Sequence, residues 1–277
     1  MNKSDFRTLN VLWVGALAFG LTFITGGVWL ALIVGNLKTT PSIPWSIVVM
    51  AALLWAIWRY FNGKWKPEST SGIRHHLMRA NSVPRGTLVW ALLAGIFSIV
   101  ALVGFWTVLS ELVGLPKNAT LNSLSYRWYF SFFVAVMASI SGSITEEIGF
   151  RGYFQKTLEV KWGGTLAIVI TALVIFPAHA LTQGLIWPVL VFYLLVDIML
   201  GAMAYLTNSI LPGVVVHALG LFVFLFLVWP NSTRRMVSES GPDIWFWVNG
   251  AQMMAFAAAA LWTFKRLANV ASREIVR

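Results

Sequence analysis

The sequence predicts an all-α polytopic membrane protein, with about eight transmembrane helices around a cytoplasm-facing intramembrane cavity. Three observations carry this reading. Of the 277 residues, 58% are hydrophobic and only 11% charged, with a mean hydropathy of +0.76, whereas a soluble domain averages about 25% charged. The apolar residues gather into eight spans, and the basic residues are distributed unequally between the loops that join them. Cysteine is absent, which excludes disulfides, thiol catalysis and thiolate metal sites. The net charge of +10 does not imply a nucleic-acid partner, because in a membrane chain the position of the charges matters more than their sum.

The spans are 11–36, 44–60, 87–115, 127–160, 163–182, 185–206, 210–229 and 244–265. A helix needs about 20 apolar residues to cross a bilayer, and the second span alone falls short of that while staying within the lower range. The first span lacks a small-residue cleavage pattern and reads as an anchor rather than a removed signal peptide. The fourth continues as one helix through Arg151 and ends at the turn Trp162-Gly163-Gly164. The seventh follows Thr207-Asn208-Ser209-Ile210-Leu211-Pro212, a turn ending in a proline suited to a helix's first positions. The tryptophans mostly flank spans, as an aromatic belt does. No repeat or long linker divides the chain, so residues 1–277 read as a single transmembrane domain.

Lys and Arg set the orientation. Of the 20, fifteen lie in the N-terminal segment, the 61–86 loop with flanking Arg59, the 146–162 region and the C-terminal tail. The opposite loops hold Lys38, Lys117, Arg127, Arg234 and Arg235. The positive-inside rule then predicts an integral cell membrane protein with both termini cytoplasmic. His75 and His76, in the basic loop, are expected near solvent or headgroups.

Within the fourth span the sequence reads Ser143-Ile-Thr-Glu146-Glu147-Ile-Gly-Phe-Arg151. Ionisable groups inside a membrane are costly, so two carboxylates and an arginine there mark a functional site. On a helix Glu147 and Arg151 are four apart, acid first, the better order for an ion pair. Glu146 lies about 100° round the helix and is left outside that pairing. Gly142, Ser143 and Gly149 sit one turn away on its stripe, either making room for water or permitting close helix packing.

His179 and His217 are the two histidines inside apolar spans. Counting ~1.5 Å per residue from the turn at Gly163 puts Glu146 and His179 level on antiparallel neighbours. His217, a little over one turn into the seventh helix, reaches the same level if the fourth and fifth helices protrude into the cytoplasm. An acid and two histidines meeting in a damp cavity can run hydrolysis: Glu146 as general base for a water, His179 sharing its orientation, His217 donating to an oxyanion. The same Glu146, His179 and His217 also form a two-histidine, one-carboxylate set of the kind that holds a metal. Asp197, in the sixth span, shares a stripe with Gly201 and Tyr205 and reads as a structural hydrogen bonder to Tyr205, Arg151 or a histidine. Glu111 is expected at an interface.

Glu146-Glu147-x-x-x-Arg151, then His179, then Thr-Asn-Ser-Ile-Leu-Pro-x-x-x-x-His217 resembles the CAAX prenyl protease and bacteriocin-processing family of intramembrane glutamic endopeptidases. The likeness covers about residues 127–225. It implies an endopeptidase without a cofactor, in which Glu146 and His179 activate water, His217 stabilises the oxyanion, and Glu147 and Arg151 support them. The implied partners are the bilayer and a peptide or lipidated (CAAX-like) protein substrate. Two positions depart from the family pattern. Ile175 stands where a phenylalanine is usual, with Phe176 beside it. Leu221 stands where an Asn or Asp follows the last histidine by four residues. Loss of one oxyanion donor costs about 10²–10³ in rate, which gives a second reading: a catalytically weak or inactive scaffold, or bacteriocin-immunity-type protein, of the same fold. Asn208, Asn249 or a water are the candidate replacements. An ion-coupled transporter using Glu146 and Asp197 is a weaker third reading, because no paired repeat is evident.

Overall fold

The structure, a computed structural model, describes residues 10–40, 42–113, 128–183, 186–229 and 236–275, and every regular element among them is helical. Helix α1 (Val11–Thr39) opens on Asn10, whose side chain accepts the Leu12 N–H and so satisfies one donor left over at a helix start. Asn36 ties its far end down: Nδ2 donates to the Thr40 and Ile43 carbonyls and Oδ1 accepts the Ser46 N–H. Helix α2 (Trp45–Phe61) returns along α1, and α3 (Ser71–Met78) is a short helix that buries Arg74, Leu77 and Met78 before the long α4 (Arg85–Val113).

Helix α5 (Trp128–Glu146) runs directly into a π-helical segment, Glu147–Phe154, and then into α6 (Gln155–Trp162). Gly163, with φ +83°, makes the turn into α7 (Gly164–Gln183). Next come α8 (Trp187–Thr207), α9 (Leu211–Val223) with its own π extension Phe224–Val228, the single turn α10 (Val237–Ser240) and α11 (Ile244–Ile275). Pro212 occupies the first turn of α9, where its missing N–H costs no hydrogen bond.

Six stretches among the described residues are long and apolar enough to cross a membrane: Val11–Thr39, Arg85–Val113, Tyr129–Trp162, Trp187–Thr207, Leu211–Val228 and Ile244–Arg273. This is an integral membrane protein. Apolar helices also stand at the second and fifth expected spans, α2 (Trp45–Phe61) and α7 (Gly164–Gln183).

Neighbouring helices pack through small residues and aromatic edges. Helices α4 and α11 lie side by side, with Trp90 against Trp262 at 5.5 Å and Phe97 against Phe256 at 5.8 Å. Elsewhere α5 packs on α9, α7 on α8, and α1 across the π segment. At one end, buried Arg79 donates to both Glu159 carboxylate oxygens (2.8 and 3.0 Å) and to the Arg151 carbonyl at 2.6 Å. Ile210 N–H returns to the Arg79 carbonyl, and Ser209 Oγ donates to the Asn81 carbonyl. The segment after α3 is thereby bolted across α6 and the α8–α9 turn, and it fixes the ends of the helices that carry the ionisable residues.

Candidate active site

Glu146 is the last residue of α5, and the helix widens immediately after it. A π turn inserts an extra residue into the helical repeat, and such turns cluster at functional sites. Here the widening coincides with a close approach by α1: a Cβ on Gly149 would stand 3.0 Å from the Ala18 Cα. Gly142 likewise faces α9, where a Cβ would meet the Leu221 side chain at 3.2 Å. Of the two uses open to these glycines, the structure shows close helix packing.

Glu146, His179 and His217 all line one cavity of about 220 Å³, bounded mainly by α4, α8 and α9. Its walls are largely apolar, with Leu102, Phe192, Val196 and Phe224 among them. His217, buried on α9, faces both glutamates. Its Nδ1 lies 3.0 Å from Glu147 Oε1, and its Nε2 lies 3.8 Å from Glu146 Oε2. A carboxylate only accepts, so Nδ1–H donates to Glu147 and the Nε2 edge is turned toward Glu146. The second distance is too long for a direct hydrogen bond. His179, on α7, is stacked face to face on Tyr193 of α8, with ring centroids 3.7 Å apart and planes within 6°.

Glu147 and Arg151 are fully buried, and Arg151 Nη1 lies 3.4 Å from Glu147 Oε1. The pair is not the closed clamp that a regular helix suggests. Arg151 Nη2 makes a short hydrogen bond to Asp197 of α8, and Glu147 divides its carboxylate between Arg151 and His217. The π segment changes the register between positions 147 and 151, and α8 brings its acid into range. Of the three partners open to Asp197, the structure gives Arg151.

Other expectations need correction. Tyr205 is 46% exposed and its ring abuts Gly164, so it does not share an inward stripe with Asp197. Glu111, two residues from the end of α4, is buried at 7% exposure. Of the candidate replacements for the absent donor at Leu221, Asn208 and Asn249 do not line the cavity. Asn208 accepts from Lys156 at the α8–α9 turn, and Asn249 donates to the Trp245 carbonyl on its own helix. Leu221 itself does line the cavity. Away from the cavity, His75 Nδ1 lies 2.7 Å from Asn62 Oδ1.

Two residues escaped the sequence reading. Tyr193 lines the cavity and covers the His179 ring; its spacing of four before Asp197 was a usable signal, since both share one helix face. Gly213, in the first turn of α9, is the other. A Cβ there would stand 2.8 Å from Glu147 Oε2, so glycine makes room for the buried carboxylate, a contact invisible without the fold. Among the described residues, no group of three or more His, Asp or Glu side chains is arranged to hold a metal ion.

Residues 127–223 match the family model described as Rce1-like, type II CAAX prenyl endopeptidase Rce1-like. The match covers α5 through α9 and contains every ionisable residue of the cavity. It shows the family resemblance for that segment. No curated protein and no solved structure matches the chain.

Proposed function

We propose that the protein is an intramembrane endopeptidase that hydrolyses a peptide bond near the cytoplasmic membrane face with a water activated by Glu146. One observation carries the reading: Glu146 faces His217 Nε2 across 3.8 Å in a largely apolar cavity that His179 also lines. Glu147, in contrast, is committed to Arg151 and His217.

In this mechanism the water oxygen bonds to the carbonyl carbon of the substrate as a water proton passes to Glu146. His179, held by its stack on Tyr193, orients the water. Glu147 accepts Nδ1–H, so His217 donates from Nε2 to the oxyanion only as the imidazolium. The proton on Glu146 then passes to the leaving nitrogen, the C–N bond breaks, and a carboxylate and an amine result. No cofactor takes part. The apolar walls suit a lipidated (CAAX-like) or membrane-embedded peptide, presented from the bilayer. The topology that accompanies this reading has eight crossings with both termini cytoplasmic. Reporter fusions at residue 277 and near position 231 are expected on opposite sides, and reports from one side defeat it.

Purified protein incubated with a lipidated peptide library and read by mass spectrometry tests the function. Cleavage that persists with chelator present and disappears in Glu146→Gln is expected; chelator-sensitive cleavage selects a metal mechanism. The second reading, a weak or inactive scaffold or immunity-type protein, has Leu221 in its favour, since it lines the cavity without offering a hydrogen bond. Absence of cleavage of every peptide selects it.

A further inference from the structure

Glu146 and His179 line a second cavity as well, of about 130 Å³, on the side of the site facing α1. Phe19, Thr22 and Phe23 of α1 form one wall, and Phe150, Ile175 and Ala178 complete it. Phe19 and Phe150 meet edge to face at 5.1 Å, and Ala18 abuts Gly149 beside them. Thr22 is the feature that apolar packing does not explain: its Oγ1 is buried, with no hydrogen-bond partner among the described residues. A cavity holds water when it offers about 30 Å³ per molecule and two to four polar partners. This one has room for about four waters at that volume, and Thr22, Glu146 and His179 supply three polar side chains. An acyl chain in the same space would leave the Thr22 hydroxyl unsatisfied, which costs about 1–3 kcal/mol.

We infer that this pocket is a water chamber supplying the site from the α1 side, opposite the largely apolar cavity that takes the substrate. Helix α1 lies outside the matched segment 127–223, so the chamber is a feature of this chain's N-terminal helix packed against the shared core. The inference rests on the hydrolytic reading of Glu146, but its test needs no substrate.

The chain contains no cysteine, so single cysteines report their own surroundings. Thr22→Cys and Ala178→Cys, on separate helices, are placed in lipid nanodiscs and treated with a charged methanethiosulfonate. Ile24→Cys, at an outward position 70% exposed in the structure, gives the lipid baseline, and Lys64→Cys on a surface loop gives the aqueous one. Each variant is first checked for an unchanged melting temperature, and either chamber position suffices if the other variant does not fold. A water-filled chamber reacts at least about tenfold faster than the Ile24 position, because a thiol in apolar surroundings stays protonated and inert. Rates equal to the Ile24 baseline overturn the proposal. So does reaction with an uncharged apolar maleimide but not with the charged reagent, which shows lipid in the pocket. Slow labelling in a protein that cleaves peptide overturns the chamber alone, whereas fast labelling in a protein that cleaves nothing leaves the chamber standing and counts against the hydrolytic reading.

Discussion

Glu146 and Glu147 are adjacent in sequence and inhabit opposite settings. Glu147 is fully buried in a network with Arg151, Asp197 and His217, with Gly213 leaving room for its carboxylate. Glu146 borders open cavity on two sides. The difference teaches how a membrane protein can keep an ionisable group beside a cavity. Charges inside a low-dielectric interior are stable only when paired and hydrogen-bonded, so one acid is committed to fixing the architecture. Its neighbour, one position round the helix, is left facing open cavity, the setting that the proposed hydrolysis requires. His217 stands between the two regions, hydrogen-bonded through Nδ1 to Glu147 and facing Glu146 with Nε2.

The largest effect expected from breaking this comparison is on the Glu146 side. Glu146→Gln keeps the shape but cannot take a proton, so turnover falls by about 10²–10⁴, the usual contribution of a general base. Its melting temperature should match the unaltered protein; full turnover removes the glutamate mechanism. Glu147→Gln is expected to do the reverse, costing about 3–5 kcal/mol of stability because Arg151 loses a charged partner in the interior. Thermal melting in detergent measures it, and an unchanged melting temperature shows that Asp197 alone suffices for Arg151.

Gly213→Ala sharpens the contrast with a smaller change. The added methyl presses on the Glu147 carboxylate, and overpacking of this kind costs about 1–3 kcal/mol. Gly220→Ala, on the same helix where the nearest atoms to an added Cβ are 3.6 Å away, is the control that should leave melting unchanged. Leu221→Asn is the smallest expected effect and the only gain. If an absent donor limits the rate, an amide facing the cavity raises turnover about tenfold, below the full 10²–10³ worth of an optimally placed oxyanion donor. An unchanged rate in an active enzyme shows that another group lining the cavity, such as Tyr193, already serves.

Much of this site was legible in the chain because helical geometry is local. The spacing of Glu147 and Arg151, the level of Glu146 and His179 either side of the Gly163 turn, and the proline-led start of the His217 helix follow from rise and periodicity. The membrane character follows from composition, and the segment 127–223 was recognisable from its motif. These are properties that sequence alone determined, since a bilayer forces backbone hydrogen bonds to close within each helix. Which partner each charge takes was a different matter. That Asp197 meets Arg151, that Tyr193 covers His179, and that Gly213 accommodates Glu147 depend on lateral contacts between helices distant in sequence. So does the pocket behind Glu146, which exists because α1 lies across the π segment. In a bilayer, helices find one another by packing of small residues and by polar contacts rather than by hydrophobic burial. The rotation and neighbour of each helix are therefore set by many weak contacts together, and only the tertiary structure decided them.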